Sequence, residues 1–486
     1  MQSNAAHKAL PNDTKGRTTT LTTLSPREAR RRSFILNGNL WNVVVTITAP
    51  LAIYAFFNYL YGFFDTILAG RIGTDAVASL LIFDDIKATL SAVGIGIAAA
   101  GTVFVARHYG AGEFEEARRH AGSMLALALA ASLFFALLAI VLWRPLLAVL
   151  RTPAEVIDGS LGYYLVQMAS TVILAFNSVY MGVERAKGNT RMILALNVVA
   201  MVVKMGLSAL FVLGMDLGMT SVALATLIAQ GMLSILAAVV LFGPRNSIAI
   251  RLSDVRFTRV YSLPILRVAL PVIGGKVLFS LGRVIVNAIA TVYGIAALSA
   301  FSIAMKVGSA AGSLASVFED PTTAIASQNL GAKRLKRAFQ TWGVANLLAV
   351  LIGFAGMFVL VLVLEDFAPL FAGGDASIVP LVATIFRWER YSIATSATIV
   401  VVSGFFLGFK ITKVTFILNL IRLFALRIPA LLLFQWLGAG PVALGYAMFV
   451  SNTGTALIAL GMMYFFFRRV KGYGYRDMTF QDPIAA

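Results

Sequence analysis

The sequence predicts an all-α membrane protein of about twelve transmembrane helices in two six-helix halves. Three observations carry this. Of 486 residues, 59% are hydrophobic and 13% charged, where a soluble chain carries roughly 25% charged residues. Apolar runs of about 20 residues or more, enough to cross a hydrocarbon core of ~30 Å, recur along the whole length. They are too long and too uniformly apolar for the alternating strands of a barrel, and a helix satisfies its own backbone in lipid. The chain also says almost the same thing twice. Ala49-Pro50 and Leu270-Pro271 each head a long apolar run, Tyr109-Gly110-Ala111 answers to Leu330-Gly331-Ala332, and Ala117 to Ala338, all at an offset of 221 residues. Gly182, Thr190 and Asn197 answer to Gly404, Thr412 and Asn419 one residue further on. Duplication in a hydrophobic chain points to two lobes with a site between them.

Residues 1–38 are polar and basic, with Arg27, Arg30, Arg31 and Arg32 at the end of the segment. They lack the apolar core and small-residue cleavage site of a secretory signal, so a disordered cytoplasmic tail is expected, its basic end close to anionic headgroups. The N-lobe, 39–243, is expected to cross the membrane at 41–69, 80–108, 121–143, 158–184, 192–214 and 218–243. An Arg-rich cytoplasmic linker, 244–265, joins it to the C-lobe, 266–467, with spans at 266–293, 297–329, 339–364, 380–408, 414–436 and 440–467. A second tail, 468–486, closes the chain.

The net charge of +18 is not read as a nucleic-acid signal, because the basic residues sit in alternate loops. With the N-terminus inside, the inner loops carry Arg118 and Arg119; Arg185, Lys187 and Arg191; Arg245, Arg251, Arg256 and Arg259; Lys333, Arg334, Lys336 and Arg337; and Lys410 and Lys413. The outer loops carry acids such as Asp75, Glu155, Asp158, Asp216, Glu365, Asp366 and Asp375. This asymmetry places both termini in the cytoplasm. Each copy then has an even number of spans, so the copies are parallel repeats related by an axis near the membrane normal. There is no cysteine, hence no thiolate nucleophile or Cys-ligated metal.

Intramembrane polar residues are costly, which makes them the candidate site. Tyr54, Asn58, Tyr61 and Asp65 step by four, three and four along the first span and share one face. Such a face belongs on a wet interior. A carboxyl kept from bulk water there is poised to bind and release a proton. Ionised, and with Asn58 nearby, the same carboxylate is also a ligand for a sodium ion. The alternative is a permanent salt bridge between Asp65 and Lys204 or Lys87. In the second span Asp84 and Lys87 can satisfy each other, and Asp85 is the repeat partner of Lys306, a possible bridge between lobes. The fifth span places Asn197, Lys204 and Ser208 on one face. The second lobe is more cationic: Lys276, Ser280, Arg283 and Asn287 form one stripe, Lys306, Ser309, Ser313, Ser316 and Asp320 another, with Arg422, Arg427, Glu319 and Glu389 further in. Tyr54, Asn197, Lys276, Arg283, Asn287, Lys306, Asp320 and Glu389 are expected to line a substrate cavity. A surplus of Lys and Arg suits anionic or zwitterionic cargo. Asp320-Pro321 is expected to break the eighth span, and Pro50, Pro271 and Pro429 are further candidates for bends.

Together these marks resemble the multidrug and toxic compound extrusion (MATE) family of secondary transporters over roughly 41–467. The residues that carry the resemblance are Ala106-Arg107-His108-Tyr109-Gly110-Ala111-Gly112 and its counterpart Ser327-Gln328-Asn329-Leu330-Gly331-Ala332. To these add Gly182 to Arg191, Arg427-Ile428-Pro429, and Asp65-Thr66 followed by Gly70-Arg71-Ile72-Gly73. The resemblance implies two pseudo-symmetric six-helix bundles in a V shape that export compounds from the cytoplasm by antiport with protons or sodium. It also implies that Asp65 is the coupling acid of the N-lobe. The chain departs from the family pattern where acids of the seventh and tenth spans would fall, near Phe279 and Ala397, and where Lys204 lies near the position of a fifth-span acid, Met201. Coupling through Asp65, with Asn58, Tyr61 and Lys204 around it, and by protons, is the reading that follows.

The expectation is therefore a bacterial inner-membrane exporter of small organic compounds, with the lipid bilayer as its other partner. It needs no cofactor beyond a coupling proton or sodium ion. It holds no resident metal, save a possible sodium ion at Asp65 and Asn58, and no catalytic residues. One chain already contains a whole pathway, so a monomer suffices. A flippase for lipid-linked glycans or other anionic lipids is the alternative. A membrane-embedded transferase is the remote one, since the short loops offer no convergent acids or histidine at the interface.

Overall fold

The computed structural model describes residues 24–72, 74–149, 161–215, 217–371 and 378–472. Residues 1–23 and 473–486 of the two tails, and Glu155, Asp158, Asp216 and Asp375, lie outside the described residues. So do the side chains of Asp75, Asp84, Asp85, Glu365 and Asp366, and with them the expected Asp84–Lys87 and Asp85–Lys306 pairs.

The described chain is helical throughout. A short helix α1 (Pro26–Asn37) precedes the spans of the first half: α2 (Leu40–Ile72), α3 (Thr74–Ala111), α4 (Phe114–Val141), α6 (Leu161–Ala186), α7 (Thr190–Ala209) and α8 (Met219–Phe242), with a short α5 (Trp143–Val149) after α4. The second half holds α9 (Arg259–Ala290), α10 (Ile295–Ser316), α11 (Glu319–Gly331), α12 (Leu335–Phe371), α13 (Val379–Gly408), α14 (Thr412–Leu420), α15 (Ile428–Trp436) and α16 (Val442–Gly472). Among the described residues eleven stretches are long and apolar enough to cross a membrane. A further pair of segments, Ala296–Ser309 and Ala311–Gly331, bent by 42° at their junction within α10, supplies a twelfth when counted as one span. The eighth span is interrupted at Val317 and Phe318, and Pro321 falls in the first turn of α11, where its missing N–H costs no hydrogen bond. Both fifth helices widen into π turns, α7 at Leu210–Gly214 and α14 at Ile421–Arg427, which runs on into α15.

The two halves repeat each other down to single backbone angles. The turn after α3 has Gly112 at φ +85°, and its partner after α11 has Lys333 at φ +57°. The turn after α6 has Gly188 at φ +73°, answered after α13 by Lys410 at φ +63°. Each turn closes with the same pair of bonds, as in Glu113 N to His108 O at 2.9 Å and Arg334 N to Asn329 O at 2.7 Å, the left-handed ending that satisfies a helix's last carbonyls. Within the lobes, Thr102 Oγ1 lies where a Cβ on Gly182 would go, and Thr323 Oγ1 donates to Gly404 O at 2.8 Å, at equivalent places in the two copies.

Two features join the lobes. The first helix of each half changes lobe along its length. Val43, Val44 and Ile47 of α2 pack with Phe318, Ile325, Ala345 and Val401 of the second half, whereas Leu68, beyond Pro50, packs with Val212 and Val222 of the first. In α9, Ile265, Val268 and Ala269 pack into the first half, whereas Val286 and Ala290, beyond Pro271, pack into the second. The second feature is a seam where the C-terminal ends of α3 and α11 cross. The position a Cβ on Gly110 would take is filled by the backbone of Gln328, and that of Gly331 by the backbone of Arg107. Residues 107 and 328 are repeat partners, as are 110 and 331, so this is a reciprocal contact about a pseudo-two-fold axis. Gln328 is fully buried and donates from Nε2 to Ala186 O at 2.6 Å, capping α6 across the seam.

Three boundaries differ from expectation. The tail expected over 1–38 is helical at Pro26–Asn37, because Ser25-Pro26-Arg27-Glu28 is a capping box with proline in the first turn. The helix α9 begins at Arg259, inside the expected linker. Arg185, counted in an inner loop, lies inside α6.

A methyl group added at the seam has no room, so Gly331→Ala is expected to cost about 1–3 kcal/mol and lower the thermal unfolding midpoint in detergent. Gly343→Ala, where nothing lies within 4 Å, should leave it unchanged. Lys333 bears the left-handed conformation that costs a side chain about 1 kcal/mol, so Lys333→Gly should raise the same midpoint.

Candidate functional site

The polar side chains within the membrane gather in three groups. The first is in the N-lobe. Asp65 of α2 is ion-paired with Lys204 of α7, the partner expected for it, and Lys204 Nζ lies 3.5 Å from the centroid of the Tyr61 ring. The side chains of Lys204 and Asp65 are 4% and 14% exposed. At this level α2 is held to its own lobe by this pair and by the small apolar cluster of Leu68, Val212 and Val222. Asn58, on the same stripe, is exposed.

The second group lies at the seam and combines both lobes. Arg185 of α6 is ion-paired with Asp320 of α11. Arg185 also interacts electrostatically with Tyr54 of α2 and Glu319 of α11, and Glu319 with Lys276 of α9. Three of these five, Tyr54, Lys276 and Asp320, were expected to share a cavity. Glu319 was noted only as a nearby acid. Arg185 was missed because it falls one residue past the predicted end of its span, where a basic residue reads as a loop. Farther along, Lys276, Arg283 and Asn287 share an exposed face of α9, and Lys306, Ser309 and Ser316 an exposed face of α10. The Tyr59 hydroxyl donates to Lys306 O at 3.1 Å and ties α2 to α10.

The third group is inside the C-lobe. Arg422 and Arg427, at the two ends of the π turn, both donate to Asn452 Oδ1, at 2.7 and 2.9 Å, and Arg427 also donates to Ser451 Oγ at 3.0 Å. Phe279 of α9 lies over both guanidiniums at 5.2 and 5.9 Å. Glu389 of α13 faces them, and its side chain sits beside Gly308 of α10.

Two expected cavity residues therefore lie elsewhere. Glu389 is 5% exposed and belongs to this C-lobe core, because its helix turns that face toward α10 and the arginines. Asn197 is 4% exposed; its Nδ2 donates to Ile193 O at 2.8 Å, one turn back in its own helix, and reaches Met181 Sδ of α6 at 3.9 Å.

A buried pair is costly to break from one side. Lys204→Met is expected to destabilise the protein by about 3 kcal/mol, because it strands the Asp65 carboxylate, while Asp65→Asn combined with Lys204→Met should lose less. Thermal unfolding in detergent would show this; a double variant whose loss equals the sum of the Asp65→Asn and Lys204→Met losses would mean the charges do not interact energetically.

The MatE family model matches the chain in two blocks, residues 50–210 and 271–433, which fall on the two repeats. No curated protein sequence matches. Among solved structures, an outward-facing multidrug resistance MATE family transporter of the MOP superfamily superposes with a TM-score of 0.87 at 20% identity, covering 94% of this chain and 100% of that one. A MATE protein in complex with MaD3S gives 0.86 at 20% identity, with 93% and 100% covered. A MOP superfamily transporter from Pyrococcus furiosus, described as having a binding pocket of reverse polarity that suggests a different function, gives 0.85 at 19% identity, with 92% and 99% covered. At these identities the likeness speaks for the fold. The family match covers well over half of the chain and falls once in each copy of the duplicated unit, over its first five spans, so the chain belongs to the MatE family and is a membrane transporter, not an enzyme.

Proposed function

We propose that the protein exports small organic compounds by antiport with protons, its lobes alternating access about the space between them. The observation that carries this is the Asp65–Lys204 pair, which couples α2 to α7 at the edge of that space. Protonation of Asp65 removes its charge and leaves Lys204 with the Tyr61 ring as a much weaker partner. The far half of α2 then loses this polar hold on the N-lobe. A conformation in which α2 has shifted is favoured by the proton, and by linkage that conformation binds the proton better. The lysine ammonium already occupies the carboxylate where a sodium ion would bind, which favours protons over sodium. With both termini taken to lie in the cytoplasm, the seam is the closure on the cytoplasmic side.

A second reading has one observation in its favour. Lys276, Arg283 and Lys306 are exposed on helices of the second lobe, while Asp320 is engaged by Arg185 at the seam. Such a surface suits anionic cargo, including the headgroup of a lipid-linked substrate. Loss of a surface polymer in a deletion strain, without drug sensitivity, would favour it.

The test is dye efflux from proteoliposomes under an imposed pH gradient or an imposed sodium gradient, with wild type and Asp65→Asn side by side. Efflux driven by pH and lost in Asp65→Asn is the expected outcome. Efflux in Asp65→Asn at the wild-type rate, still driven by pH, would overturn the coupling role. Efflux driven by sodium would overturn the choice of ion.

A further inference from the structure

The helix α1 (Pro26–Asn37) touches both lobes at the seam, and it touches them in different ways. Toward the second half the contact is apolar and extensive. Ile35 is 1% exposed and shares one cluster with Phe318, Ile325, Ala345 and, from α2, Val43 and Val44. The end of α1 is then capped from α12. Arg337 donates to Ile35 O at 3.1 Å and Gly38 O at 2.5 Å, and Arg334 donates to Leu36 O at 2.5 Å and Asn37 Oδ1 at 2.6 Å. These cations sit at the C-terminus of a helix, where carbonyls lack partners and the dipole is negative.

Toward the first half the contact is mainly polar. Arg32 donates from Nε to Tyr109 O at 3.0 Å and from its second nitrogen to Gly110 O at 2.7 Å, so one guanidinium caps the end of α3 at the seam glycine itself. Glu28 accepts from Ser247 Oγ at 3.0 Å and lies 3.9 Å from Lys187 Nζ. Lys187 is in turn bound to Glu184 at 2.5 Å and Asn246 at 3.0 Å. The Ile35 side chain also fills the space where Gly188 lacks a Cβ.

Opening the seam must break one of these two sets. Burial of apolar surface has no substitute in water, whereas a guanidinium and two carbonyls can each exchange their bonds for bonds to water. We infer that α1 is a clasp carried by the second lobe, and that Arg32, gripping the carbonyls of Tyr109 and Gly110, holds the seam shut and lets go when the lobes part at this end. This goes beyond the transport reading and needs neither cargo nor coupling ion.

The chain has no cysteine, so spin labels can be placed without background. With Arg191→Cys and Lys336→Cys, one exposed position on each lobe at this end, pulsed electron resonance in nanodiscs reads the separation of the lobes. Arg32→Ala should raise the ratio of the separated to the closed population about tenfold, equivalent to about 1.4 kcal/mol. Arg32→Lys, which keeps the charge but cannot span both carbonyls, should fall between. A label at Arg27→Cys should keep its distance to Lys336→Cys while its distance to Arg191→Cys lengthens. If wild type proves almost wholly closed, the same comparison on the Gly331→Ala background brings the ratio into range. Distributions for Arg32→Ala that superimpose on the parent in both backgrounds, with unchanged thermal unfolding, would overturn the clasp. A label on α1 that stays with Arg191→Cys and leaves Lys336→Cys would overturn the assignment of the lobe that carries it.

Discussion

The seam that closes the two halves on each other depends on one close approach, the crossing of α3 and α11 at Gly110 and Gly331. Backbone meets backbone there because neither residue has a side chain to hold the helices apart. The contact is reciprocal, so it lies on the axis that relates the repeats. Around it, Gln328 caps α6, Arg185 reaches Asp320, and Arg32 of α1 caps α3. Each of these bonds spans a distance that the glycines make short. In lipid, helices gain little from apolar association, and close packing at small residues is a main source of helix–helix affinity. A seam built this way is strong when closed and has little to hold it half open, which suits a two-position device.

The handover of α2 and α9 between lobes places the moving parts. The near part of each helix packs with the opposite lobe, to Ile47 in α2 and to Ile273 in α9, and the far part with its own, at Leu68 and at Val286 and Ala290, while Tyr59 still bonds to Lys306 of α10. Any rotation of the lobes must therefore be absorbed near Pro50 and Pro271, where a helix already lacks a hydrogen bond. Asp65 sits on the far part of α2, so the charge state of one carboxyl bears directly on how that segment is tied to α7. On α9 the acid partner is Glu319 of α11, which interacts with Lys276 at the seam. The second lobe also buries two arginines against Asn452, Ser451 and Phe279, with Glu389 opposite. The halves share a backbone and differ in their chemistry.

Much of the fold could be read from the sequence. The twelve spans, the duplication and the break near Pro321 follow from run length, spacing and proline chemistry, all of which act locally. The Asp65–Lys204 pair was among the expected contacts because two opposite charges deep in apolar spans have few other ways to be satisfied. Other residues misled. Asn197 lies on the same helical face as Lys204 by spacing, yet its amide bonds back to Ile193. Glu389 looked like a cavity acid, and the arginines that face it lie some thirty-five residues away in the chain. Ser25-Pro26-Arg27-Glu28 is a helix start that a basic composition concealed.

The sequence by itself determined the class, the repeat, the span limits to within several residues, and which polar groups could not face lipid. These are consequences of the bilayer acting on each segment alone. Only the tertiary structure decided which of those groups meet. That Arg185 closes on Asp320, that Gln328 caps the opposite lobe, and that α1 straddles both depend on the angle at which two six-helix units cross. That angle is set by packing summed over many side chains on both, and no local pattern in the chain records it.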